Sequence, residues 1–200
     1  MAIRKLSNSS IITGTKSSKF WDQETFPGYF ESISTIVVGS ANQATITFDN
    51  IPSTYKHLQL RWFGKTDRAA GLNSPYIRFN NISSSSYWWH GLYGDGATAY
   101  TEVSNGADTG VIIERFTGNT GATNIFGAGV IDILDYTNTN KYKTVRSLAG
   151  ADLNGSGQMT LSSGVWNSTN AITRIDFVQG YSATNFLQYT HIALYGIRGA

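Results

Sequence analysis

The residues in this chain best suited to acid–base or metal chemistry are three histidines, His57, His90 and His191. His57 falls on the polar side of an alternating segment, and His191 lies among apolar residues near the C-terminal end. Such isolated imidazoles favour hydrogen-bonded structural roles over catalysis. The chain has no cysteine, and it lacks the common hydrolase, zinc-protease, calcium-loop and phosphate-loop motifs. The sequence therefore predicts no enzymatic activity, no metal site and no cofactor.

Asp132 and Asp135 form a carboxylate pair three residues apart, in the segment Val130–Tyr136. Paired carboxylates can share general acid–base work when they face one another. Residues three apart in a strand point to opposite faces, however, which is the wrong arrangement for a shared task. Asp132 stands among apolar residues, so a structural ion pair is predicted for it if it is buried.

The segment 87–93 places four aromatic residues and a histidine within seven positions. In a strand, Tyr87, Trp89 and Tyr93 share one face, while Trp88 lies on the other. Both faces of a strand cannot be equally buried in a two-layer fold, so part of this aromatic surface is expected to meet solvent or a partner. Three interpretations remain open: core packing combined with a subunit contact, core packing alone, or stacking on a surface glycan.

Alternating apolar and polar residues recur in short segments, as is typical of half-buried β-strands. In 56–62, for example, Leu58, Leu60 and Trp62 point one way and the intervening polar residues point the other. No segment has the periodicity of a long amphipathic helix. The other strand candidates are 29–38, 43–50, 76–80, 87–93, 109–116, 125–135, 143–149, 158–166, 172–178 and 188–197.

Turn chemistry separates these candidates. Asn105-Gly106 and Asn154-Gly155-Ser156-Gly157 are rich in residues that tolerate a positive φ. Aromatic residues make up 13% of the chain and charged residues only 14%, a composition that suits pleated, half-buried surfaces. Together, pattern and composition predict an all-β, jelly-roll-like two-sheet β-sandwich of roughly eight to ten strands.

Residues 1–28 differ from the rest and are predicted to form an extended N-terminal arm, with the sandwich occupying 29–200. The segment up to Lys19 is dominated by small polar residues, lysine and glycine, and it cannot bury enough apolar surface to fold alone. Docking on a neighbouring protein is one expectation and a frayed tail is the other. The candidate anchors for docking are Ile11, Ile12, Phe20 and Trp21.

Charge gives little reason to expect nucleic acid or a membrane as a partner. The formal net charge is +2, and the basic residues form only short clusters such as Lys141-Tyr142-Lys143 with Arg146, which favour solvated surface over phosphate binding. No apolar stretch is long enough to cross a bilayer as a helix. The N-terminal residues lack the apolar segment of a secretory signal, so synthesis and folding in the cytoplasm of the producing cell are expected.

Several longer segments of the sequence resemble those of a known protein family. They are Phe30-Glu31-Ser32-Ile33, the segment 51–61, His90-Gly91-Leu92-Tyr93-Gly94-Asp95-Gly96, the segment 130–144, and Ala193-Leu194-Tyr195-Gly196-Ile197. In this order, over residues 29–198, they resemble structural proteins that tailed bacteriophages, especially those of cyanobacteria and marine bacteria, carry on their particles.

This resemblance implies a virion component on the exterior of the phage particle, with no catalytic residues. The expected role is a capsid decoration (cement) protein that stabilises the shell through its arm and an oligomeric sandwich. The expected partners are further copies of the chain, as a homotrimer, and the major capsid protein or another virion protein. The alternative is a tail-fibre appendage or a module that binds a receptor or carbohydrate.

Overall fold

The backbone forms β-strands throughout the part of the chain that the structure describes. The computed structural model describes residues 29–113, 115–180 and 183–199, which contain fourteen strands and no helix. The strands are β1 (Phe30–Val37), β2 (Thr45–Phe48), β3 (His57–Gly64), β4 (Leu72–Asn73), β5 (Tyr76–Phe79), β6 (Tyr87–Gly94), β7 (Ala99–Val103), β8 (Val111–Ile112), β9 (Phe116–Thr117), β10 (Gly127–Leu134), β11 (Lys143–Asp152), β12 (Gly157–Trp166), β13 (Ile175–Val178) and β14 (His191–Ile197).

These strands form one large sheet, one smaller sheet and a short two-stranded pair. The large sheet has eight strands in the order β1-β14-β3-β10-β11-β12-β6-β7, and the smaller sheet has four in the order β2-β13-β5-β8. Strands β4 and β9 form the short pair. All the strand pairs are antiparallel. The all-β prediction is therefore confirmed, whereas the jelly-roll topology and the arm stay predictions.

The apolar side of each sheet contributes to a single core between them. Leu60 and Ile131 of the large sheet and Ile46 and Phe177 of the smaller sheet belong to the same buried cluster. The sheets approach so closely at Gly164 that a Cβ atom built there would lie 2.5 Å from Cγ1 of Val111. Direct contact between two apolar sheet faces defines a β-sandwich.

The burial pattern follows the alternation in the sequence. In β3, Leu58, Leu60 and Trp62 are buried, while the intervening Gln59 and Arg61 face outward. Side chains alternate between the two faces of a strand, so one apolar residue in every two is enough to cover the core. The predicted inward face of this strand is confirmed.

The turn between β11 and β12 confirms the prediction made for Asn154-Gly155. Asn154 has φ 61° and Gly155 has φ 112°. Two consecutive left-handed residues match the twist of a tight hairpin, a geometry that asparagine and glycine tolerate better than other residues. The turn thereby sets the register in which Leu148 of β11 pairs with Leu161 of β12.

The basic cluster Lys141-Tyr142-Lys143 with Arg146 was predicted to be solvated surface, and this prediction is wrong for Lys143. It begins β11, and its side chain is fully buried on the same face as Val145. The ammonium donates hydrogen bonds to the carbonyl oxygens of Asn138 (2.5 Å), Lys141 (3.0 Å) and Thr169 (3.0 Å). Burial lowers the pKa of this group. The three protons of the ammonium are matched by three carbonyls, which accounts for a buried cation in a strand position.

Replacing Lys143 with Met is expected to lower the free energy of unfolding by about 2–4 kcal/mol, because three carbonyls lose their donor. Chemical denaturation measures this. The matched control is Lys141→Met, which removes a cation whose side chain is more than half exposed and is expected to cost less than about 1 kcal/mol. An equal decrease in the free energy of unfolding for the two variants would contradict the structural role assigned to Lys143.

Candidate interaction surface

The three histidines do not come together. His90 lies in β6 and His57 in β3, with β12, β11 and β10 between them, a separation of about 19 Å at ordinary strand spacing. His191 is in β14, where it pairs with Phe63. The Nδ1 atom of His57 accepts a hydrogen bond of 2.9 Å from the backbone N–H of Asp135. Within the described ranges, no three His, Asp or Glu side chains are grouped as a metal site would need.

The two aspartates also have separate partners. Asp132 accepts a hydrogen bond of 2.9 Å from the amide of Gln59 on β3. Asp135 follows the end of β10 with φ 54° and binds two cations, Lys56 at 2.5 Å and Lys141. The ion pairs that the structure describes in this segment are therefore at Asp135. Asp132 is only partly buried, so the condition set for an ion pair there is not met, and its partner is the Gln59 amide. Neither carboxylate is arranged to share a proton with the other.

Asp135 supplies a pH-dependent contribution to stability. Hydrogen bonds from Lys141 and Lys56 hold the pKa of the Asp135 carboxyl at about 2, below its ordinary 3.8. A carboxyl whose folded pKa is lowered stabilises the fold above its unfolded pKa and loses that effect as the pH falls through the folded value. The contribution is therefore complete above about pH 4 and disappears towards about pH 2.

Replacing Asp135 with Asn is expected to flatten the pH dependence of the free energy of unfolding between about pH 4 and pH 2. Asparagine tolerates the left-handed backbone at this position, so the variant tests the charge and not the turn. The lysines are more than half exposed, so the effect at neutral pH should be modest and should shrink at high salt. Urea denaturation across this pH range measures it, and an unchanged slope would contradict the assignment.

The aromatic segment 87–93 divides between the two faces of β6. Tyr87 and Trp89 are buried in the core. The hydroxyl of Tyr87 accepts from the N–H of Phe79 (3.0 Å) and donates to the carbonyl of Ile82 (3.1 Å), and burial raises its pKa to about 12. Neither side chain is accessible to a partner in this fold. The prediction that Tyr87 and Trp89 belong to an aromatic binding surface is therefore wrong.

Trp88 and Tyr93 have different surroundings from this buried pair. Trp88 lies on the outer face of the large sheet and is 38% exposed. The Tyr93 ring stacks on Tyr100 with centroids 4.7 Å apart, and the guanidinium carbon of Arg115 lies 4.4 Å from its centroid. Trp88 is thus the member of the predicted group that faces outward from the sheet. Tyr93 belongs to an aromatic stack at the edge of the large sheet that β6 and β7 form.

A row of apolar side chains crosses the outer face of the large sheet. Leu92 of β6 pairs with Leu161 of β12, which pairs with Leu148 of β11, which pairs with Val130 of β10. The three leucines are each about half exposed. We name these four residues the apolar row. Met159, which is 64% exposed, lies in the next row of the same face.

The apolar row has polar and aromatic neighbours on the same face. Arg61 pairs with Val130 and so continues the row onto β3. Its guanidinium carbon lies 5.3 Å from the ring centroid of Phe30 and 5.7 Å from that of Tyr195, and these two rings stack with centroids 4.7 Å apart. A shallow depression of about 650 Å³ adjoins Leu148 and Met159. The face therefore has an apolar centre and a rim that includes a cation.

The candidate arm anchors Ile11, Ile12, Phe20 and Trp21 lie outside the described residues. The described chain begins at Tyr29 and enters β1 at Phe30, beside Arg61.

No protein-family model, curated protein or solved structure matches the chain. Among the residues the structure describes, none lies in a helix with the length and apolarity needed to span a bilayer.

Proposed function

We propose that this protein is a non-enzymatic structural component that assembles with further copies of itself through the apolar row. The single observation that carries the proposal is the alignment of Leu92, Leu161, Leu148 and Val130 in register on an exposed sheet face. Scattered exposed leucines are ordinary on soluble proteins, whereas a contiguous apolar patch of about 400 Å² or more is typical of an interaction site.

The chemistry of the face suits a protein partner. A stable interface buries about 800 Å² on each side and has an apolar centre inside a polar rim. The apolar row supplies such a centre, and Asp132 and Arg146, which pair across β10 and β11 in the next row, supply polar groups beside it. Apolar burial is barely screened by salt, so the contact would tolerate changes in ionic strength.

The sequence resemblance specifies where such a component would work. In this proposal the protein is a capsid decoration protein on the exterior of a phage particle, and its jelly-roll-like sandwich forms a homotrimer. The arm of residues 1–28 would fasten the trimer to the major capsid protein or another virion protein through Ile11, Ile12, Phe20 and Trp21. Many copies, each burying an interface of ordinary size, would together stabilise the shell.

The test is the number of copies per particle, measured by quantitative mass spectrometry on purified virions. Hundreds of copies per particle would support shell decoration. A few dozen or fewer would place the protein in a tail fibre, and its absence from particles would overturn the virion assignment.

A further inference from the structure

A partly enclosed pocket lies at one end of the sandwich, away from the apolar row. It is formed where β1 and β3 end and where β10 and β14 begin, and it has a volume of about 340 Å³. Its lining includes the amide side chains of Asn42, Asn119, Asn124 and Gln188 and the ring of Tyr189. We propose that this pocket binds a neutral saccharide.

Lys65 holds one wall of the pocket in place. Its ammonium donates hydrogen bonds to the carbonyl oxygens of Gly121 (3.5 Å), Ala122 (2.6 Å) and Thr123 (3.4 Å). The residue is almost fully buried, and burial lowers its pKa. Because these carbonyls take up the donors of the ammonium, Lys65 fixes the loop that carries Asn124 and does not present a free cation to a ligand.

The part of the lining that carries Asn42 and Tyr189 is held by backbone hydrogen bonds. Gln43 and Phe186 exchange N–H···O bonds of 3.1 and 2.7 Å, which fixes the chain beside Asn42. The N–H of Tyr189 donates to the carbonyl of Val38 at 2.9 Å. A site with walls fixed in advance loses less conformational entropy when a ligand binds.

The four amides that line the pocket are available to a ligand. All four side chains are exposed, and none of them makes a hydrogen bond to another described residue. Amides elsewhere in the fold are engaged: Asn73 donates to Thr66 and Gln179, and Asn185 donates to Asp67. Each free amide offers both a donor and an acceptor, which is the pairing that a sugar hydroxyl needs.

Tyr189 supplies an exposed flat ring at the rim of the pocket. It is 66% exposed and has φ 70°. A left-handed backbone is costly for an aromatic residue, and the hydrogen bond from the Tyr189 N–H to Val38 helps to hold the backbone in this conformation. An exposed ring next to free amides can stack on the C–H face of a sugar while the amides bind its hydroxyls.

The charge and the volume of the pocket restrict the class of ligand that it can bind. The described lining contains no aspartate or glutamate, and its one cation is Lys65, whose ammonium is bound to carbonyls. The pocket is therefore suited to an uncharged ligand. Its volume is at the lower end of the range for small-molecule sites, which fits roughly one or two sugar rings.

The test is titration of the full chain with a panel of neutral mono- and disaccharides, followed by ligand-detected NMR and calorimetry. Binding of at least one sugar is expected, and Tyr189→Ala is expected to weaken that binding about tenfold. Asn124→Ala should weaken it as well. The matched control is Tyr142→Ala, which removes an exposed tyrosine outside the pocket and should leave affinity unchanged.

Two results would overturn the saccharide site. One is the absence of binding across the panel by the folded wild-type chain, and the other is binding that persists at wild-type affinity in both pocket variants. Thermal unfolding of each variant confirms that it is folded. The pocket and the apolar row share no residues. A negative result for saccharide binding therefore does not bear on the proposed assembly role, which is tested by a different experiment.

Discussion

Replacing Trp89 with Ala is expected to lower the free energy of unfolding by about 3–5 kcal/mol, the range found when a large aromatic residue is removed from a core. Trp89 is 8% exposed and belongs to the central apolar cluster. Its indole Nε1–H donates to Asp108 at 3.1 Å. The substitution leaves a cavity and removes the donor to this carboxylate, so both losses act in the same direction.

The neighbouring residue provides the control. Trp88 faces outward from the same strand, and Trp88→Ala is expected to cost less than about 1 kcal/mol because the ring is already partly hydrated. Denaturant titration of the two variants gives the comparison, provided that both are measured at equal protein concentration. If Trp88→Ala lowered the free energy of unfolding as much as Trp89→Ala, the two faces of β6 would be wrongly assigned.

Replacing Leu161 with Glu is expected to dissociate the assembly while leaving the fold intact. Leu161 is at the centre of the apolar row, between Leu92 and Leu148, and is 57% exposed. On an isolated subunit the new carboxylate stays in water at little cost. In an interface it would be buried without a partner, and that penalty amounts to several kcal/mol. A weakening of association by at least about 100-fold is expected, since each 1.4 kcal/mol is a factor of ten.

Ile82→Glu is the matched control for this experiment. Ile82 is an exposed apolar residue in the loop between β5 and β6, outside the apolar row. The substitution makes the same change of chemistry at a different place, so it should leave the assembly unchanged. Equal dissociation by the two variants would show that added charge, and not the position of Leu161, governs association.

Local pattern was enough to predict most strands and their inward faces. In β3, alternation identified Leu58, Leu60 and Trp62 as the buried residues, because the period of a strand is a property of neighbouring residues. The short strands β4 and β9 have two residues each, too few to give any periodicity. Strand β7 was missed for a different reason: it is an edge strand whose residues are mostly exposed, so it lacks an apolar face.

The candidate sites required information that local pattern does not contain. The apolar row joins Leu92, Leu148 and Leu161, and the partner and register of strands far apart in sequence cannot be read from either strand alone. The pocket proposed to bind a saccharide likewise combines loops from four parts of the chain. For Lys143 the signal was present, since it shares a strand face with Val145, but its position in a basic cluster suggested solvent.

The mass of the full-length chain in solution, measured by light scattering during size-exclusion chromatography, tests the assembly role most directly. We predict three times the 21.8 kDa subunit mass for the wild type and for Ile82→Glu, and the single-subunit mass for a folded Leu161→Glu variant. A wild-type chain that remains monomeric up to high micromolar concentration, with the same mass as the Leu161 variant, would contradict it.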